Sequence, residues 1–152
     1  MATGPVTTTA PLLNGQIIGI TYHAIAAVRD QLLAAHGLTF HQSVALKAVA
    51  DGLDRAGVVD RMTSTLKVDA SRAHALLDEL AAGGLLDGVR PTPPSLTDKG
   101  ESLHRGLTDA IAGLTERLYG DLPAAEREIA ARLLAHVTAR ANAELAAPST
   151  RA

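Results

Sequence analysis

The chain has 152 residues, enough for one domain or one compact protomer. It is 47% hydrophobic but only 2% aromatic, a composition that suits helix packing and argues against an aromatic-rich β-sandwich. A formal net charge of −2 excludes a global field for polyanions or anionic membranes, and the absence of cysteine excludes disulfides, thiolate metal sites and catalytic thiols.

The opening stretch, MATGPVTTTAPLLNG, lacks the charged region and apolar core of a secretory leader, and its Thr, Pro and Gly content predicts a flexible arm over residues 1–13. No apolar run is long enough to span a bilayer, so a cytoplasmic location and no membrane partner are expected. From Gln16 to His36 the pattern is helical, with Ile17, Ile18, Ile20, Ile25, Val28 and Leu32 covering more than one face. Such a helix must be buried on several sides, which in a small protein points to a subunit interface. Gly37 is its natural stop.

In LTFHQSVALKAVADG, Thr39 is placed to cap a second helix with Val44, Leu46, Ala48 and Val49 inward, ended by Gly52. GVVDRMTSTLK predicts a short helix with Val58, Val59, Met62 and Leu66 inward. A turn at Val68-Asp69 follows, and Asp69 is a good N-cap for the next helix. There Ala73, Leu76, Leu77 and Leu80 fall at i, i+3, i+4 and i+7 and define one core-facing stripe, which Gly83-Gly84 ends. LLDGVRPTPPSLT fits two short strands only if its prolines sit in the turn or on an edge. A long helix starts near Thr97-Asp98 with Leu103, Leu107, Ile111, Leu114 and Leu118 in its stripe, and Gly120 breaks it. Pro123 fits the first turn of a last helix, with Glu126 and Glu128 near its positive end, and that helix fades at Pro148.

The fold expected is therefore mainly α: a winged helix-turn-helix with a short β-hairpin wing, over residues 38–97, between end helices at 14–36 and 98–146. Residues 14–146 form one domain and 147–152 a tail. The end helices are apolar without an evident partner in the protomer, and the economical solution is packing against a second copy.

These stretches resemble the MarR family of bacterial transcription regulators. HGLTFHQSVALKAVADG resembles the Gly-Leu-Thr opening of the family's second helix. LKVDASRAHALLDELAAGGLL resembles its turn and recognition helix, SLTDKGESL its Leu-Thr-x-x-Gly exit from the wing, and LPAAEREIAARLLAHV the acidic start of its last helix. The resemblance spans about residues 14 to 146. It implies a homodimeric repressor or activator whose recognition helix enters the major groove of double-stranded DNA and whose wing approaches the minor groove. It also implies a small aromatic or phenolic ligand in some members, bound between the dimer helices and the DNA-binding lobe, and neither cofactor nor enzymatic activity.

Two departures stand out. Only DGVRPTPPS lies between Leu86 and Leu96, a short wing with Arg90 as its sole cation, and the recognition helix carries Ala75 and Glu79 where basic residues are common in the family. From Gly57 to Gly100 there are five cations (Arg61, Lys67, Arg72, Arg90, Lys99) against six anions (Asp60, Asp69, Asp78, Glu79, Asp87, Asp98). Phosphate neutralisation supplies much of protein–DNA affinity, so this lobe predicts weak binding or a shallow salt dependence, which two copies partly offset.

With the Leu76 stripe inward, Ser71, His74, Ala75 and Asp78 are expected to face outward, with Arg72 at their flank. Arg72 suits a guanine edge or a phosphate, and Ser71 and His74 suit bases or phosphates. Together with Ala75 and, in the wing, Arg90, these are the DNA-contact candidates. Tyr22 and His23 interrupt the apolar first helix, and with His41 they are the candidates for gripping a ligand. Glu101 and His104 share a helix face but lack the further carboxylates and second motif of a helical metal site, so no metal is expected. No phosphate-binding glycine loop, nucleophile elbow or zinc-protease motif occurs.

Two alternatives accompany the regulator. The same fold, with a degraded wing and acidic lobe, suits a ligand-binding protein or an enzyme using the dimer cavity, or a module that heterodimerises through its end helices.

Overall fold

The computed structural model describes residues 10–88 and 92–148. The elements run α1 (Gly15–Ala35), α2 (Phe40–Ala50), α3 (Arg55–Leu66), α4 (Ala70–Ala82), β1 (Leu86–Asp87), β2 (Ser95–Leu96), α5 (Asp98–Tyr119) and α6 (Ala124–Ala146). The mainly α, winged helix-turn-helix order expected from the pattern is the order observed. Residues up to Ile111 form one compact unit and those from Ala112 a second, the boundary falling inside α5.

Local chemistry sets the helix boundaries in the first unit. Asn14 caps α1 by accepting the Ile17 N–H at 3.0 Å, and the chain leaves α1 through Gly37 at φ +73°. At α2, Thr39 and Gln42 form a reciprocal capping box: the Gln42 N–H donates to Thr39 Oγ1 at 3.2 Å and the Thr39 N–H to Gln42 Oε1 at 3.0 Å. The Asp54 carboxylate accepts the Gly57 N–H at 2.8 Å and so starts α3 two residues earlier than the apolar pattern suggests.

The core is built from the end of α1, α2, α3, α4, β1 and the first half of α5. Leu33, Leu46, Val58, Met62, Leu76 and Leu80 are its largest fully buried side chains. All four stripe residues of α4, Ala73, Leu76, Leu77 and Leu80, are buried. In α2 the pattern needs correction: Ala45 is fully buried and Val44 only half-buried. This helix packs against α1, α3, α4 and β2 together, so no single stripe describes it. In α3, Val58 and Met62 are buried while Val59 and Leu66 are half-buried at its rim.

The wing is a minimal antiparallel ladder, with Leu86 opposite Leu96 and Asp87 opposite Ser95. Pro93 and Pro94 lie in the connection, off the ladder, as a residue without an N–H requires. Where α5 leaves the wing, the Thr97 N–H donates to Leu85 O at 3.1 Å and its hydroxyl to Gly84 O at 2.6 Å, while Thr97 Oγ1 accepts the Gly100 N–H at 3.0 Å. One threonine thus ties the end of α4 to the start of α5.

The second unit holds the rest of α5 and all of α6. Pro123 occupies the N-cap position of α6, just before the first turn where the pattern placed it. No residue of α6 is buried, and Ile129, Leu133, Leu134 and Val137 remain between 42% and 48% exposed.

Candidate nucleic-acid interface

α3, a tight turn and α4 make the helix-turn-helix. α3 ends at Lys67, whose φ of +57° is the only positive value for a non-glycine among the described residues. Its ammonium returns to Ser64 O at 2.5 Å, a cation against the negative end of its own helix. Asp69 then caps α4: its carboxylate accepts the Arg72 N–H at 2.9 Å and the Ser71 hydroxyl at 2.7 Å. The Arg72 backbone amide and then Ser71 hold the Asp69 carboxyl below the usual aspartate range.

Opposite the buried stripe, α4 exposes Ser71, Arg72, Asp78 and Glu79. Ala75 is half-buried. His74 is also half-buried and turns toward the wing, lining a cleft with Asp54, Arg55, Asp60, Thr92 and Pro93. The outward face of the helix is therefore narrower than a simple stripe predicts. Arg90 lies outside the described residues.

The electrostatics of this face are governed by internal partners. Arg72 Nη1 lies 2.7 Å from Glu79 Oε1, two helical turns along α4, and Gln42 Nε2 donates to the other Glu79 oxygen at 3.2 Å. Arg72 first and Gln42 second keep the Glu79 carboxyl below the usual glutamate range. Arg55 at the start of α3 bonds to Asp78. Asp51 collects Arg61 at 2.7 Å and Lys47 at 3.0 Å, and these two, Arg61 foremost, lower its pKa. Lys99 donates to Gly83 O at 3.0 Å. Every described lysine or arginine from residue 38 to 99 thus has a protein partner, and a polyanion would have to displace it.

The ligand candidates fall into two ring contacts. Tyr22 and His23 meet edge to face at 5.4 Å on the exposed side of α1. His41 is half-buried beside Phe40 at 6.0 Å, and the Arg29 guanidinium lies 3.6 Å above the Phe40 ring. A further cleft joins the end of α1, the end of α4 and the start of α5, with His36, Lys99 and Ser102 as its polar side chains and Leu85 and Leu103 as its apolar ones. The pattern gave no hint of it, because His36 and Lys99 are brought together only by tertiary packing. The His36 Nδ1–H donates to Leu32 O at 2.9 Å. Among the described residues no three His, Asp or Glu gather as a metal-binding group.

No protein-family model and no curated protein matches the chain. Solved structures do. CouR from Rhodococcus jostii RHA1, bound to p-coumaroyl-CoA, superposes with a TM-score of 0.69 over 82% of this chain and 90% of its own, at 17% identity. A MarR-family protein of Mycobacterium tuberculosis in complex with DNA gives 0.64 over 85% and 98%, at 20% identity. The chain has the MarR fold. BpsR of Bordetella bronchiseptica, whose DNA binding is regulated by 6-hydroxynicotinic acid, gives 0.67 over 88% and 98%, at 22% identity. In the MarR fold seen here, the helix that the pattern singled out as the reading helix is α4, and the short ladder is the wing. No described helix is long and apolar enough to cross a membrane.

Proposed function

We propose that this MarR-fold protein is a homodimeric, ligand-responsive transcription regulator, not an enzyme, that binds double-stranded DNA through α4 of each subunit. The observation that carries the proposal is α4 itself. One face is locked into the core by four buried side chains, and the opposite face presents Ser71 and Arg72 at the N-terminal end of the helix. A rigid helix with polar groups at that end is what base reading in the major groove requires. Ser71, Arg72, His74 and Ala75 are the proposed contacts from α4, with Arg90 from the wing.

The half-exposed apolar residues of α6 support pairing with a second copy, since a contiguous exposed apolar stripe marks an interaction surface. The ligand is proposed to be a small aromatic carboxylate or phenol, by analogy with the compounds bound by or regulating the similar structures. Tyr22, His23 and His41 would grip it, and a bound ligand would shift the spacing of the two α4 helices away from the repeat of successive major grooves.

Anisotropy titration with the DNA flanking the coding region, against random DNA of equal length, tests this reading. Specific nanomolar binding that weakens at least tenfold in Arg72→Ala supports it. No preference over random DNA at low salt rejects it and favours the second reading, a ligand-binding protein that no longer reads DNA. The pairing of Arg72, Arg55 and Arg61 with carboxylates of the same lobe favours that alternative.

A further inference from the structure

Arg72 and Glu79 are seven residues apart on α4, so their side chains leave the helix within roughly 20° of the same direction. The side chain between them on that face is Ala75, too short to stand in the way. Helical side chains tilt toward the N-terminus, so Glu79 leans back toward Arg72. The result is the 2.7 Å ion pair lying along the outward face. Its acceptor is held in place from a second element. Gln42 is fixed to Thr39 by the capping box, in which its side-chain oxygen accepts, and its Nε2 donates to Glu79 Oε2. The carboxylate is thus satisfied on both oxygens, one by α4 and one by α2.

From this geometry we propose that Glu79 competes with DNA for the Arg72 guanidinium, and that the competition makes the reading helix selective. The inference rests on the DNA-binding role proposed above. A single phosphate oxygen in place of a carboxylate oxygen is an even exchange, and it leaves the freed Glu79 charge beside a polyanion. A guanine edge offers O6 and N7 together, in the plane of the guanidinium, and outbids the one oxygen that Glu79 gives to Arg72. Random DNA is thereby penalised more than a site that places guanine under Arg72. Glu79 is a positioning residue for Arg72, and its effect on specificity comes through that arginine.

The test is a double-mutant cycle on the full chain with Glu79→Gln, Arg72→Ala and the double variant, each titrated with flanking DNA and with random DNA at two salt concentrations. Expected in Glu79→Gln are about tenfold tighter binding to random DNA at low salt, a smaller gain on flanking DNA, and a steeper salt slope from the released cation. In the Arg72→Ala background the same change should yield at most a twofold gain. Equal gains in both backgrounds would mean plain repulsion between Glu79 and phosphate, and would overturn the proposal. If none of the four proteins prefers flanking DNA while the random-DNA gain still needs Arg72, the regulatory reading falls and the competition stands. Carboxyl NMR titration of Glu79 checks the pair directly. Its midpoint should rise toward that of an ordinary glutamate in Arg72→Ala, and a midpoint that does not move overturns the pair.

Discussion

Gly100 lies against the carbonyl oxygen of Leu85 with no room for a Cβ between them. The glycine of the Leu-Thr-x-x-Gly exit is therefore a packing residue: it lets the first turn of α5 approach the chain entering the wing while Thr97 bonds to both sides. Gly100→Ala must push backbone from backbone, and a loss of about 1–3 kcal/mol is expected from overpacking of this kind. Gly106 on the same helix meets nothing within 4 Å, so Gly106→Ala should instead stabilise, by up to about 1 kcal/mol of helix propensity. Urea unfolding midpoints of the two variants should move in opposite directions.

The core role of α4 is separable from the reading role proposed for it. Leu76 is completely buried, and Leu76→Ala should cost about 2–5 kcal/mol through lost transfer energy and the cavity left behind. Ser71→Ala on the exposed face should leave the unfolding free energy from urea titration within about 0.5 kcal/mol of the parent protein. Comparable losses from both would contradict the division of the helix into a core face and an outer face.

Acid should destabilise the protein. Asp51, Asp69 and Glu79 have carboxyls held below their ordinary range, by Arg61 and Lys47, by the Arg72 amide and Ser71, and by Arg72 and Gln42 respectively. The unfolded chain therefore takes up protons at higher pH than the folded one. The stabilisation is fully present above the ordinary carboxylate range and is lost as the pH falls through the lower, folded-state values. These groups are exposed, so the loss is modest for each. Tm measured from pH 7 down to pH 3 should fall toward the acid end, less steeply in Asp51→Asn. A flat or rising Tm would contradict the assignment.

Self-association should depend on α6. Val137 and Leu134 are each 42% exposed within one chain. Sedimentation velocity of the purified protein should show a two-chain species. Val137→Asp should return it to a single chain with unchanged helical circular dichroism. A well-folded single chain in the unmodified protein at micromolar concentration would contradict the dimer.

The parts legible in the sequence were those set by near neighbours along the chain. The α4 stripe follows from helical period alone, and the caps at Thr39 and Asp69 from side chains three residues before the amides they bind. Periodicity does not separate Val44 from Ala45, because α2 is enclosed on several sides. The pairings of Arg55 with Asp78 and of Gln42 with Glu79 cross 23 and 37 residues and depend on how helices approach. His74 faced outward by stripe geometry, yet the wing folds beside it. The cleft of His36, Lys99 and Ser102 likewise has no signature in local spacing.

Hydroxyl-radical footprinting of the protein on its flanking DNA tests the central claim most directly. Two copies presenting α4 side by side should protect two patches on one face of the duplex, about one helical turn, roughly 34 Å, apart. Arg72→Ala should lose both patches together. A single protected patch, or none at concentrations where the protein is fully paired, would contradict the account.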